Sequence, residues 1–573
     1  MKKIRVVIIF TVSVFIIALV IFLFSKGKID DKISSNLNSD IDYYDEDEET
    51  KYNVSTTITL SESSVEIVGQ GASVLNSVIT ISSSGNYEIS GKLNDGNIII
   101  DANKEDIIRI KLNNIYITSS TYSPIYVKSA KKVILTLEES TTNRLVDCSE
   151  YVYDDTAGDE PKATIFSKSD LVINGTGTLN ITSNFNDAIS TNDALRIIGG
   201  NFNITSVDDG IRGKDYVYIK NANLNLDVVG DGIKSTNSKS DEVGFIIIEN
   251  GNFDINSGSD GIDATSSLYI KNGSFNINSG GGNTVNNKNN NNYPNFKNTI
   301  EDSDSESDQT STKGLKADGI ITIENGDFTI DSSDDAIHSN NVININGGNI
   351  NIKSGDDGIH SDNQLVVNGG TIDILVSYEG VESSNIKILS GKISIISRDD
   401  GINAANSNNI EENVIEINGG EIIINAEGDG IDSNGKIYIN GGDVTVYGPV
   451  TGGNGILDCD GTLLVNGGKI IATGTSDMLQ LPESKSEQYS IVINLSSYAN
   501  SDTSFVIKDS DGNEIVKSTP DKKYSTIIFS SSSLVKDETY SIYVNDVKID
   551  TVTISDVITI VGNINNNMNK MRK

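Results

Sequence analysis

Six copies of an aspartate followed by glycine and isoleucine run through this chain: Asp209-Gly210-Ile211, Asp231-Gly232-Ile233, Asp260-Gly261-Ile262, Asp357-Gly358-Ile359, Asp400-Gly401-Ile402 and Asp429-Gly430-Ile431. Looser copies stand at Asp187-Ala188-Ile189, Asp335-Ala336-Ile337 and Glu379-Gly380-Val381. The carboxylate in each copy is the group that could do chemistry. Asp187, Asp209 and Asp231 are 22 residues apart, and Asp335, Asp357 and Glu379 repeat that step. A fixed period of this size belongs to solenoids. Residues at the same repeat position then stand above one another, ~4.8 Å from rung to rung. Such a column of carboxylates repels itself, and its pKa values rise, unless a cation intervenes.

Several rungs carry a second acid, at Asp208-Asp209, Asp334-Asp335, Asp356-Asp357 and Asp399-Asp400. Oxygen donors without His or Cys point to Ca²⁺ over zinc. The expected metal ligands are therefore Asp187, Asp208, Asp209, Asp231, Asp260, Asp334, Asp335, Asp356, Asp357, Asp399, Asp400 and Asp429. Asp208/Asp209 with Asp231, and Asp356/Asp357 with Asp335, are the first choices. For any single copy the bland alternative is that Asp-Gly is good turn chemistry; the metal reading rests on the column.

The position after each apolar residue forms a second column: Ser190, Arg212, Lys234, Asp263, Lys316, His338, His360, Glu382, Asn403, Asp432 and Asp458. Arg212, Lys234 and Lys316 either contact the carboxylate of an acidic ligand or neutralise the neighbouring aspartates. His338 and His360 are expected as stacked surface neighbours rather than catalytic groups. Tyr216 and Tyr269, with Tyr218 and Tyr438, could offer apolar surface to a ligand.

A second phrase keeps step with the acids and shows what must position them. It is Asn-Gly-Gly followed by alternation, as in Asn346-Gly347-Gly348-Asn349-Ile350-Asn351-Ile352 and Asn368-Gly369-Gly370-Thr371-Ile372-Asp373-Ile374. Alternating Ile and Asn put one strand face inward and one outward. Gly and Asn are expected to supply the φ > 0 corners. Each turn is too short to close its own core, so neighbours must stack. The fold expected is all-β, a parallel β-helix over 53–484, with 280–312 as a disordered insertion where the Asn-rich stretch interrupts the register. Lys313-Gly314-Leu315 resumes the register with lysine in place of the acid. Short strands at 490–495, 504–508, 526–530 and 539–544 predict a small β-sandwich over 485–561, and 562–573 reads as a disordered tail.

Net charge is −36, from 44 Lys and Arg against 80 Asp and Glu, which excludes nucleic acid as a partner. Val6–Phe24 is long and apolar enough to span a bilayer. Lys2, Lys3 and Arg5 before it predict a cytoplasmic N-terminus. The expectation is an N-terminal anchor over 1–28, an acidic spacer over 29–52, and the bulk of the chain on the outer cell surface. Secretion after signal cleavage is the alternative. Cys148 and Cys459 lie about a dozen turns apart in this register, too far for a disulfide, which needs Cα atoms within ~7 Å. Two free, buried thiols are predicted.

These motifs resemble a known family. Asp-Asp-Gly-Ile with Asn-Gly-Gly-x-Ile-x-Ile, the run Lys313-Gly314-Leu315-Lys316-Ala317-Asp318-Gly319 and the terminal β domain are similar to bacterial carbohydrate-binding domain-containing proteins of the calcium-binding, parallel β-helix type, which are akin to pectate lyases. The resemblance is strong over Ala163–Gln480 and weak over Ile58–Asp159. It implies a right-handed helix, Ca²⁺ at the Asp corners, and binding of plant polysaccharide, polygalacturonate above all and also cellulose. The absence of Trp fits acidic sugars better than crystalline cellulose. The function expected is non-catalytic carbohydrate binding at the cell surface. One alternative is a lyase using calcium and a Lys234 or Lys316 base; the other is a structural adhesin.

Overall fold

The computed structural model describes residues 45–153, 160–240, 242–283, 311–405 and 413–563. The chain divides into two units, Met1–Lys51 and Tyr52–Lys573. In the first, the described part of the acidic spacer closes one helical turn, Asp45–Glu48, rather than staying extended. Among the described residues no helix is long and apolar enough to cross a membrane. The expected anchor, Val6–Phe24, lies outside the described residues, as do 284–310 of the expected insertion and 564–573 of the expected tail.

Apart from that turn the described secondary structure is all β. The second unit opens with two antiparallel hairpins, Thr56–Glu62 with Ser64–Val68 and Ala72–Leu75 with Val78–Ile81. The second hairpin turns on Asn76 and Ser77, both at positive φ (49° and 62°), which matches the right-handed twist of its strands. From there pairing becomes parallel. Thr56–Glu62 and Val78–Ile81 lie parallel to Gly85–Leu93 and Asn97–Asp101.

Beyond residue 125 the parallel pairing settles into three ladders. One runs through Asp187–Thr191, Ile211–Gly213, Ile233–Ser235, Ile262–Ala264, Leu315–Ala317 and Ile337–Ser339. A second takes Ala194–Ile198 on towards Lys436–Ile439 and Leu463–Val465. The third takes Asn201–Ser206 on through Ser274–Ser279, Asp327–Ser332 and Asn349–Ser354 to Lys469–Gly474. Most neighbours pair residue for residue, and single-residue irregularities are taken up within strands, as between Ile219 and Ala222 and between Ser361 and Gln364.

Alternation builds the core. In Asp327–Ser332 the second, fourth and sixth residues are buried. Phe328 and Ile330 therefore face inward and stack on their counterparts in adjacent rungs. Phe253, Phe275 and Phe328 form a continuous column with ring centroids 4.5 and 4.6 Å apart and nearly parallel planes. The residues between them are Asn, Asp and Thr, and face water.

The parallel stack ends on an antiparallel strand. Tyr524–Ser530 pairs with Lys469–Gly474 and with Ser490–Ala499. It thereby covers what would otherwise be an open strand edge. A separate four-stranded antiparallel sheet contains Phe505–Lys508, Glu514–Ser518, Thr539–Val544 and Val547–Thr553. Phe505, Ile507 and Ile542 from that sheet share a core with Ile493, Ile527 and Phe529 from the main one. Neither cysteine is in a disulfide. Cys459 is buried, but Cys148 is only partly so, because it follows the strand Thr142–Val146 into a surface loop.

Candidate functional site: a ladder of carboxylates

The backbone brings the anchor positions into register. The amide after each anchor donates to the carbonyl of the next anchor: Ala188 to Asp209, Gly210 to Asp231, Gly232 to Asp260, Gly261 to Lys313, Gly314 to Asp335 and Ala336 to Asp357. Gly358, Gly380, Gly401 and Gly430 continue to Glu379, Asp400, Asp429 and Gly455. The side chains form their own ladder. Asp209 Oδ1 accepts from the Asp231 amide (2.9 Å), Asp231 Oδ1 from Asp260 (2.8 Å), Asp335 Oδ1 from Asp357 (3.0 Å) and Asp400 Oδ1 from Asp429 (2.6 Å). One oxygen of each of these aspartates is thus spent on structure, and in Asp231 and Asp335 the other, Oδ2, meets Lys234 and His338 of the second column.

A buried serine column, which sequence reasoning missed, holds this corner from inside. Ser206, Ser332, Ser354 and Ser397 each donate to the carbonyl two residues on, at Asp208, Asp334, Asp356 and Asp399. The signal was present as a serine before each doubled acid.

The glycine of Asp-Gly-Ile does not sit at positive φ, unlike the second glycine of Asn-Gly-Gly (Gly370, φ 91°). Its reason is close approach. A Cβ on Gly232 would lie 2.5 Å from the Gly261 carbonyl oxygen and 2.6 Å from Ile255. The expected φ > 0 corner is therefore corrected for this glycine, and left-handed turn geometry does not account for it.

The second column aligns as expected, from Ser190 opposite Arg212 through His338 opposite His360 to Asp432 opposite Asp458. His338 and His360 stack with centroids 5.0 Å apart. The cations of this column pair with the acids. Arg212 lies 3.5 Å from Asp187; Lys234 contacts Asp231 and lies 3.6 Å from Asp263; Lys316 lies 3.1 Å from Asp260 and 3.5 Å from Asp263. Lys313, standing where an anchor acid is missing, reaches Asp334 (2.5 Å) and Asp335 (3.6 Å). Burial works to lower Lys234 and Lys316, but neighbouring aspartates outweigh it and raise both above the ordinary lysine value. From Glu382 to Asp458 the column contains no Lys or Arg: it reads Glu382, Asn403, Asp432, Asp458.

The electrostatics follow this distribution. Burial, reinforced by the Asp187 charge, raises Asp209 to about 7. Burial raises Asp187 to about 6 despite Arg212. In the lysine-free stretch, burial and the Asp429 charge raise Asp400 to about 8, and burial with Asp429 and Asp458 raises Asp432 to about 7.

Two places gather carboxylate oxygens around open backbone. Asp187, Asp208 and Asp209 bring oxygens within 4.8 Å of one another. Asp187 is fully buried, and neither of its oxygens has a hydrogen-bond partner. A Cβ on Gly230 would lie 2.6 Å from Asp209 Oδ1 and 2.7 Å from Asp208 Oδ1. The arrangement recurs at Gly428, where a Cβ would lie 2.4 Å from Asp399 Oδ1 and 2.5 Å from Asp400 Oδ1. Only glycine leaves room for two adjacent carboxylates to converge on the rung above. Asp231, Asp260 and Asp263 form a third cluster, compensated by Lys234 and Lys316, and Asp334, Asp335 and Asp356 a fourth, compensated by Lys313.

Among the other expected binding residues, Tyr269 is partly exposed. Tyr216 is buried, with 7% of its surface accessible and its ring stacked on Phe245, and offers no open face to a ligand. Tyr218, two residues on and therefore on the same strand face, is 2% exposed, and it shares a column with Tyr269 through Ile247.

Stacked parallel strands carrying an aligned acid ladder define a β-repeat protein with a polyanionic face. Within that class, the chain belongs to the family of carbohydrate-binding domain-containing proteins, whose family model matches residues 75–358 and 356–494. A relative of that description from Acetivibrio thermocellus is 38% identical over 134 residues, 23% of this chain and 47% of the relative. The chain thus spans about half the length of that relative. A solved structure, the gadolinium derivative of a polysaccharide lyase-like protein from C. thermocellum, is 33% identical, covering 40% of this chain and 92% of that one with a TM-score of 0.38.

Proposed function

We propose that the second unit is a parallel β-helix whose carboxylate ladder holds Ca²⁺, and that the ions bridge the protein to an acidic polysaccharide without catalysis. The observation that carries this reading is the convergence of Asp208 and Asp209 over Gly230, beside the buried Asp187, whose oxygens accept no hydrogen bond and whose cationic neighbour is Arg212 at 3.5 Å. A fully buried carboxylate with no hydrogen bond is costly unless a cation shares it. Ca²⁺ accepts several carboxylate and carbonyl oxygens in flexible geometry. Asp187, Asp208 and Asp209 would hold one ion, and Asp399, Asp400 and Asp429 a second. An ion with ligand positions open to solvent can take carboxylates from a uronate polymer, which explains how a chain of charge −36 would hold a polyanion. Family membership supports carbohydrate as the partner class.

A lyase needs a deprotonated base beside the metal. Lys234 and Lys316 are each clamped by two aspartates and raised above the ordinary lysine value, which favours binding over elimination. We also propose export, with Val6–Phe24 as membrane anchor, on its length and basic flank. The test is co-sedimentation with polygalacturonate in Ca²⁺ and in chelator. Retention in Ca²⁺ alone, with no unsaturated product absorbing in the ultraviolet, is expected. Equal retention in chelator sinks the calcium bridge, and no retention in either condition sinks the uronate reading.

A further inference from the structure

From the sequence, His338 and His360 are expected as stacked surface neighbours outside the oxygen-only ligand set. Their surroundings argue otherwise for one of them. His360 Nδ1 lies 3.0 Å from Asp357 Oδ2 and 3.2 Å from Glu382 Oε2. One nitrogen carries one proton, so it cannot donate well to two carboxylates at once. The three atoms come from three positions fixed independently. Asp357 is oriented because its Oδ1 accepts the Glu379 amide (3.2 Å). His360 and Glu382 are placed by strand pairing, one directly above the other. A tetrahedral ion with ~2.0–2.1 Å bonds has ligand atoms about 3.3 Å apart, so the observed separations already approximate the edges of such a site.

The far side of the ring carries a second indication. His360 Nε2 faces Asp362 Oδ1 at 3.4 Å. A carboxylate on the second ring nitrogen fixes the tautomer that turns the other nitrogen's lone pair to a metal, the usual support of metal-ligating histidine. Charge agrees: one neutral imidazole and two carboxylates balance a divalent ion. His360 and Glu382 side chains are 18% and 16% exposed, enough for an ion and a fourth ligand from solvent to enter. His338 differs, because its Nδ1 is bonded to Asp335 (2.8 Å) and its Nε2 lies 2.8 Å from Asn340 Oδ1.

We propose that Asp357, His360 and Glu382 form a three-ligand site for a divalent transition metal of the zinc type, distinct from the all-oxygen calcium positions, with Asp362 orienting the imidazole. Binding displaces to solvent the proton that the two carboxylates otherwise hold at Nδ1, so affinity rises with pH.

The test is Co²⁺ and Zn²⁺ titration of the chelator-stripped full chain at mildly alkaline pH, in excess Ca²⁺. The result expected is one equivalent of Co²⁺ with the intense visible absorption of four-coordinate cobalt, displaced by Zn²⁺. His360→Gln abolishes the band, Asp362→Asn weakens binding about 10–100-fold, and His338→Gln leaves the band unchanged. Glu382→Gln, which keeps the size of the side chain it replaces, repeats the test if His360→Gln fails to fold by circular dichroism. Only pale six-coordinate absorption, a band unaffected by both His360→Gln and Glu382→Gln, or complete displacement by Ca²⁺ overturns the proposal. Calcium-dependent retention on polygalacturonate should survive His360→Gln.

Discussion

Raising the pH of the metal-free protein from about 5 to about 7 should destabilise it, against the usual behaviour of a carboxylate-rich fold. Asp209 sets the magnitude. It is 6% exposed and moved from the ordinary 3.8 to about 7 by burial and by Asp187. A carboxyl raised in the folded state binds its proton more tightly there than in the unfolded chain. Its contribution is complete below the unfolded pKa and is lost as pH rises towards the folded one. At about 1.36 kcal/mol per pH unit, falling to half that slope at the folded pKa, the stretch from pH 5 to pH 7 removes about 2 kcal/mol through Asp209 alone. Asp187, Asp400 and Asp432 act with the same sign. The opposite sign belongs to Asp335 and Glu382, where burial pushes upward but bonds to His338 and His360 prevail. Those groups act below their ordinary 3.8 and 4.5, outside this window. Calcium at a hundred times its Kd returns about 2.7 kcal/mol per site, comparable to the loss from one rung. The assay is thermal unfolding across this range in chelator and in Ca²⁺. A midpoint in chelator that is flat or rises with pH, or an equal Ca²⁺ increment at both ends, would refute the uncompensated ladder.

Gly230→Ala and Gly428→Ala should each remove one Ca²⁺ equivalent by calorimetry and also lower metal-free stability in chelator melts, since the added Cβ meets the backbone carbonyl carbon of Asp208 (2.8 Å) or Asp399 (2.7 Å) as well as the carboxylate oxygens. Lys313→Met should destabilise the chain by about 3–5 kcal/mol, because it strands Asp334 and Asp335 without their cation; denaturant midpoints check this, and the charge-keeping Lys313→Arg should recover most of it. Phe275→Ala should cost about 3–5 kcal/mol, as it opens the middle of the aromatic column between Phe253 and Phe328. Lys234→Ala should lower stability without abolishing any reaction on polygalacturonate; loss of an unsaturated product in this variant would instead identify a lyase.

The sequence by itself determined the register. Repeat position is a one-dimensional property, so a constant step of 22 residues was enough to place Asp187 above Asp209 and His338 above His360, and the observed strand pairing matches both. The all-β class, the alternating core and the absence of a Cys148–Cys459 bond follow from the same arithmetic.

What the spacing could not carry is which oxygen points where. That Asp209 spends Oδ1 on the next amide while Asp187 has no hydrogen-bond partner depends on how each corner closes in space. That Tyr216 is buried depends on what neighbouring rungs lay over it, since Arg196 and Phe245 pack against its ring. The division of the ladder into rungs that a lysine contacts and two carboxylate pairs that no lysine contacts among the described residues was decided by side-chain reach between rungs, because a lysine five atoms long can answer an acid on its own rung or the next. Only the tertiary structure therefore separated the aspartates that a lysine reaches from the pairs that converge over Gly230 and Gly428.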